Sequence, residues 1–120
     1  MSVRAIRGAI QIEENSVDSI HAGVRELLGA VLEANDLVPE EVISVILTST
    51  PDLTADFPAA AAREIGFGAV PLLCAAEINV PGALPLVIRV MLHCNTEKAA
   101  DEVLHIYLNG AVALRRDLAQ

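Results

Sequence analysis

The chain has 120 residues, 53% of them apolar and 2% aromatic, which suits a single domain spanning residues 1–120 with a core of Ile, Leu, Val and Ala. A formal charge of −8, from 16 acidic and 8 basic residues, argues against a nucleic-acid partner, because phosphate neutralisation needs a basic face and base stacking needs rings. The longest unbroken apolar run, residues 69–76, falls far short of the roughly 20 residues that span a bilayer, so no membrane association is expected.

Residues 3–12 read as a strand, with Gly8 marking a bulge or a close backbone approach. Asn15 or Ser16 can cap the helix that follows. Its apolar residues Val17, Ile20, Val24, Leu27, Leu28, Val31 and Leu32 form one face at helical period, and Asn35-Asp36 stops it. Pro39-Glu40-Glu41 reads as a helical turn. Residues 42–47 read as a buried strand, and residues 48–52 carry turn chemistry. An Ala-rich helix is expected over residues 58–65, started by Pro58 and stopped by Gly66. Residues 69–75 and 86–93 read as a third and a fourth strand, broken by Val80-Pro81-Gly82. Thr96 reads as the cap of a short helix through Glu102, residues 103–108 as a fifth strand, and residues 111–118 as a partly helical tail.

Strands interleaved with helices predict an α+β fold in which a mixed sheet carries its helices on one face. One long helix cannot cover both sides of a sheet whose second and fourth strands are apolar throughout, so an oligomer is expected. The N-terminal residues 1–8 lack the apolar stretch of a signal peptide. Two cysteines, Cys74 and Cys94, make no disulfide framework, and a reducing cytoplasm is the expected setting.

The basic set is seven Arg and one Lys, and Arg suits bidentate carboxylate recognition. Arg7, Arg63, Arg89 and Arg115 all stand in apolar sequence, a pattern that fits a buried anion. Each taken singly also fits an internal salt bridge or a rim position. Arg89, inside Leu86-Val87-Ile88-Arg89-Val90-Met91-Leu92, is expected to have little access to water. Glu77 reads either as its counter-ion or as an acceptor for a substrate hydroxyl. Cys74 reads as a small core residue without a cationic neighbour to activate it. Tyr107, the only tyrosine, reads as a core residue or a hydroxyl donor to a carboxylate. His93, Cys94, Cys74 and His105 match no common zinc spacing, so no metal is expected. There is no nucleophile elbow, and His21 reads as a helix-surface residue.

The order Arg7-Gly8-Ala9, Thr50-Pro51-Asp52-Leu53, Phe57-Pro58-Ala59, Arg63-Glu64, Cys74 with Glu77, Ile88-Arg89-Val90-Met91, Tyr107-Leu108 and Leu114-Arg115 resembles the AroH-type monofunctional chorismate mutases from about Val3 to Leu118. The resemblance implies a homotrimer with a pseudo-α/β-barrel centre and active sites between subunits. It implies chorismate as substrate, no cofactor, and a pericyclic conversion to prephenate in the biosynthesis of phenylalanine and tyrosine. It places Phe57, Ala59 and Arg63 from one subunit against Arg7, Leu73, Cys74, Glu77, Arg89, Tyr107 and Leu114 of its neighbour, with Arg115 nearby. Arg89, Arg7 and Glu77 would carry the catalytic roles. Relatives can carry lysine where this chain has Ala60, so this helix brings less positive charge to the substrate. Two other readings of the same trimer are an imine hydrolase of the Rid type and a non-catalytic sensor of small carboxylates.

Overall fold

Side-chain alternation along β1 (Ser2–Gln11) sets the layering of the molecule. Ile6, Gly8 and Ile10 turn to one side and are buried, whereas Arg7 and Ala9 turn to the other. The computed structural model describes residues 1–114. Four further strands, β2 (Val42–Ser49), β3 (Leu72–Ala76), β4 (Val87–Thr96) and β5 (Ile106–Leu108), complete one sheet of order β3-β2-β4-β1-β5. The inner pairings, β1 with β4 and β2 with β4, are antiparallel; the outer strands β3 and β5 run parallel to their neighbours.

The helix α1 (Val17–Ala34) covers one face. Ser16 caps it, its hydroxyl accepting from the Ser19 N–H at 3.1 Å. Ile20, Val24, Leu27, Leu28 and Val31 recur at helical spacing, are fully buried, and share one core with Ile6, Ile10, Ile88 and Leu92. Each such side chain contributes about 1.5–3 kcal/mol by leaving water. Asn35 holds the other end: its amide donates to the carbonyls of Val31 and Leu104 and accepts from the Leu104 N–H, so the helix terminus is tied to the approach to β5. The short α2 (Pro58–Ala62) packs against α1, burying Ala59, Ala61 and Ala62 in the same core. The expected α+β arrangement, a mixed sheet with helices on one face, is therefore the one adopted.

Several boundaries differ from expectation. Thr48 and Ser49 belong to β2 instead of a turn, because β4 opposite them continues the ladder through Arg89 and Ile88. The second helix ends at Ala62 and widens into a π-helical turn over Arg63–Phe67, which buries Phe67. Gly66 supplies the positive φ of 106° that this kink requires. The third strand begins only at Leu72, and the fifth is confined to Ile106–Leu108. Thr96 caps no helix: it ends β4, paired with Ser2, and residues 97–102 form bends and turns. After β5, Asn109–Leu114 forms a 3-10 helix; the rest of the expected helical tail lies outside the described residues.

Cys94, on the core face of β4, is fully buried, and its thiol donates to the Arg4 carbonyl. Burial pushes the thiol pKa up, and the charge of Glu41 adds to the effect. Cys94 should therefore resist Ellman's reagent in the native protein and become titratable only on unfolding in guanidinium. Immediate reaction of both thiols in folded protein would contradict this.

Candidate active site

The face of the sheet away from α1 carries the chemistry. Cross-strand partners share a face, so the register places residues there row by row. One row runs Ala75, Thr48, Arg89, Ala9 and Tyr107. The next runs Leu73, Ile46, Met91 and Arg7. Arg7, Arg89 and Tyr107 therefore stand on adjacent rows of three neighbouring strands. They line a shallow cavity of about 240 Å³ with Gly8, Thr48 and Met91. Tyr107 is 6% exposed and packs with Ala9, Val87 and Ala111, with Leu114 alongside.

Glu77 joins this group from just beyond β3. Its backbone N–H continues the ladder to the Ser49 carbonyl, which fixes the side chain over the Thr48–Arg89 row. One carboxylate oxygen accepts from the Thr48 hydroxyl at 2.6 Å, and the other lies 3.3 Å from Arg89 Nε. The counter-ion reading of Glu77 is the contact seen. Because Glu77 meets Nε, the remaining N–H donors of the guanidinium can serve an anion. Arg89 itself differs from expectation: its side chain is 46% exposed in the single chain. Its apolar sequence neighbours Ile88 and Val90 point to the opposite face, so they do not bury it. No ion pair among the described residues involves the Arg7 guanidinium.

Beside this group opens a larger cleft of about 760 Å³, bounded by Arg89, Glu77, Leu114 and the loop of residues 78–85. That volume suits a small organic ligand. The loop is anchored through Asp52, whose carboxylate accepts from the Thr50 hydroxyl and, at 2.9 Å, from the Leu86 N–H. Thr50 is buried and accepts from the Val87 N–H at 3.0 Å, so the Thr50-Pro51-Asp52 motif fixes one wall of the cleft.

Other expected site residues stand apart. Cys74 pairs with Leu47, which puts its side chain on the α1 side, where it lines a separate groove with Phe57 and Pro58. Leu73 is on the open face at 62% exposure, in the Arg7 row but across β2 and β4 from it. Phe57 is 71% exposed at the start of α2, Ala59 is 4% exposed within it, and Arg63 is exposed where α2 gives way to the wider turn. Ala60 is half-buried on the same helix. Arg115 lies outside the described residues. One chain thus presents two groups, Arg7, Glu77, Arg89 and Tyr107 on the open face and Phe57 to Arg63 on the α1 side.

His21 is not the surface residue the sequence suggests. Its side chain is 15% exposed, and Nε2 lies 2.7 Å from Asp56. That hydrogen bond, with another from the Phe57 N–H, holds the Asp56 carboxyl below the usual carboxylate range. The only sequence signal for the pair is Asp56 in the loop ahead of α2, 35 residues away. Among the described residues no three His, Cys, Asp or Glu side chains are grouped as metal ligands would be, and no helix is long and apolar enough to cross a membrane.

The chain is 55% identical over 117 residues to a chorismate mutase AroH of Thermus thermophilus, with 97% of this chain and 96% of that protein covered. It is 41% identical over 120 residues to the chorismate mutase AroH of Bacillus subtilis (strain 168), covering 99% and 94%. A solved chorismate mutase from Clostridium thermocellum superposes with a TM-score of 0.89 at 47% identity, covering 91% of this chain and 97% of that one. The sequence model described as chorismate mutase type I matches residues 3–118, and with near full-length relatives sharing half the residues and a matching fold, the chain belongs to the type I chorismate mutase family.

Proposed function

We propose that this chain is a single catalytic domain that converts chorismate to prephenate in the cytoplasm, as a homotrimer whose sites lie between subunits. The observation that carries the reading is the convergence of Arg7, Arg89 and Tyr107 on an open sheet face, with Glu77 aligning Arg89. Chorismate has two carboxylates, a ring hydroxyl and an ether oxygen. Its rearrangement breaks one C–O bond as one C–C bond forms, so no proton has to be moved and no cofactor is needed. The protein's tasks are to hold the compact, chair-like conformer and to stabilise the negative charge that grows on the ether oxygen.

In this reading Arg89 donates to the ether oxygen, and its alignment by Glu77 is set before substrate arrives. Arg7 and Tyr107 clamp a carboxylate, and the ring hydroxyl meets Glu77 and the Cys74 backbone region. Leu73 and Leu114 supply apolar contact. Phe57, Ala59 and Arg63 come from the neighbouring subunit, with Arg115 closing the site. Two features support the trimer: the separation of the two groups within one chain, and the exposure of Ile46 and Leu73 on the uncovered face. The free cysteines fit a reducing compartment.

The test is incubation with chorismate, following its ultraviolet absorbance and identifying the product, alongside the mass in solution by sedimentation equilibrium. Prephenate from a trimer is the expected outcome. A chorismate half-life equal to that in buffer sinks the activity, and a fully active monomer sinks the shared site.

A further inference from the structure

His21 projects from α1 into a gap between two carboxylates. Nε2 lies 2.7 Å from Asp56 and Nδ1 lies 3.7 Å from Glu64, so each ring nitrogen faces an acid. The Asp56 contact is a hydrogen bond; Glu64 stands at ion-pair distance. The other charged groups within a turn on α1 are Asp18 and Arg25, and Arg63 adjoins Glu64. Asn15 works beside His21. Its side-chain oxygen accepts from the N–H groups of Thr54 and Ala55, both at 2.9 Å, and its amide donates to the Thr54 hydroxyl. Asp56 completes the chain of contacts by accepting from the Phe57 N–H at 2.7 Å. Asp56 directly precedes Phe57, and Glu64 directly follows Arg63. The two acids that grip His21 therefore bracket the segment that stands apart from the arginine face.

We propose that His21 is a positioning residue: its ring, hydrogen-bonded to Asp56 with Glu64 alongside, fixes residues 57–63 on α1 in the pose that completes a neighbouring subunit's site. This rests on the chorismate mutase reading and deepens it. Phe57 is 71% exposed, so its position depends chiefly on the backbone ahead of it. Loss of the His21–Asp56 hydrogen bond loosens the segment. The consequence falls on substrate capture, because the groups that act on the breaking bond belong to the other face.

The test uses His21→Gln and Asp56→Asn in the full-length protein. Hydrogen exchange of residues 53–64 is measured without substrate, and kcat and KM for chorismate are measured for each variant beside the wild type. Both variants should exchange faster in that segment. Both should raise KM roughly fivefold to tenfold, the scale of one lost hydrogen bond, with kcat within about twofold. Unchanged exchange, an unchanged KM, or a fall in kcat at constant KM overturns the proposal. Failure of the wild type to consume chorismate is a separate result that sinks the underlying reading, and the exchange data still decide whether the clip exists.

Discussion

Arg89→Ala should lower kcat for chorismate at least about a hundredfold while leaving the melting temperature and the oligomeric state almost unchanged. Two magnitudes set this contrast. A preorganised donor aimed at a developing oxyanion is typically worth about 3–4 kcal/mol in the transition state. A half-exposed ion pair such as Arg89–Glu77, screened by solvent, is worth at most about 1 kcal/mol to folding. The side chain fills no core volume, since Ile88 and Val90 point to the other face, so its removal opens no cavity beneath α1. Glu77 retains the Thr48 hydroxyl as a partner. Arg89→Lys should also fail substantially. Arginine can meet Glu77 through Nε and a second oxygen through its terminal fork, whereas an ammonium is a point charge drawn to the carboxylate. Steady-state assays with thermal melts of each variant decide the matter. Near-normal turnover by a well-folded Arg89→Ala protein would refute the role given to this residue.

The architecture was legible where local pattern and tertiary packing agree. The apolar stripe of α1, all of its seven positions but the 47% exposed Val17, and the alternation in β1 each point to a buried face, and those faces meet. What escaped local reading was decided by distant partners. Thr96 has the chemistry of a helix cap, yet Ser2 pairs with it and extends β4, which no window around residue 96 reveals. Val103 has a strand-like neighbourhood, but β1 offers parallel pairing only opposite Ile106 to Leu108. The apolar sequence around Arg89 implies a water-poor setting, but neighbours in sequence are not neighbours in space here. Alternation separates it from its apolar neighbours, and the open face leaves it half-exposed. The motif resemblance named Arg7, Glu77, Arg89 and Tyr107, which the fold gathers on or beside that face. It missed His21 because both acids facing the ring come from another part of the chain.

Gly8→Val should cost about 2–3 kcal/mol of stability or more, lowering Tm by roughly 10 °C, and should reduce chorismate turnover as well. Gly8 was flagged in the sequence as a bulge or a close approach, and the close approach is what forms. A Cβ at this position would lie 3.0 Å from the Ile106 carbonyl oxygen and 3.1 Å from methyl groups of Leu27 and Val90. The two methyls can yield a little; the carbonyl belongs to β5, whose only ladder is to β1 at this point. Valine favours strands by up to about 1 kcal/mol, and losing a glycine lowers the entropy of the unfolded chain by a similar amount. These gains are smaller than the cost of forcing a branched side chain into a closed space between helix and sheet. Relief of the clash has to move α1 outward or β5 sideways, and β5 carries Tyr107 beside Arg7 and Arg89. Stability and turnover should therefore fall together, unlike in Arg89→Ala, where turnover falls alone. A Gly8→Val protein with wild-type Tm would show that α1 and β5 are not pressed against β1 as described.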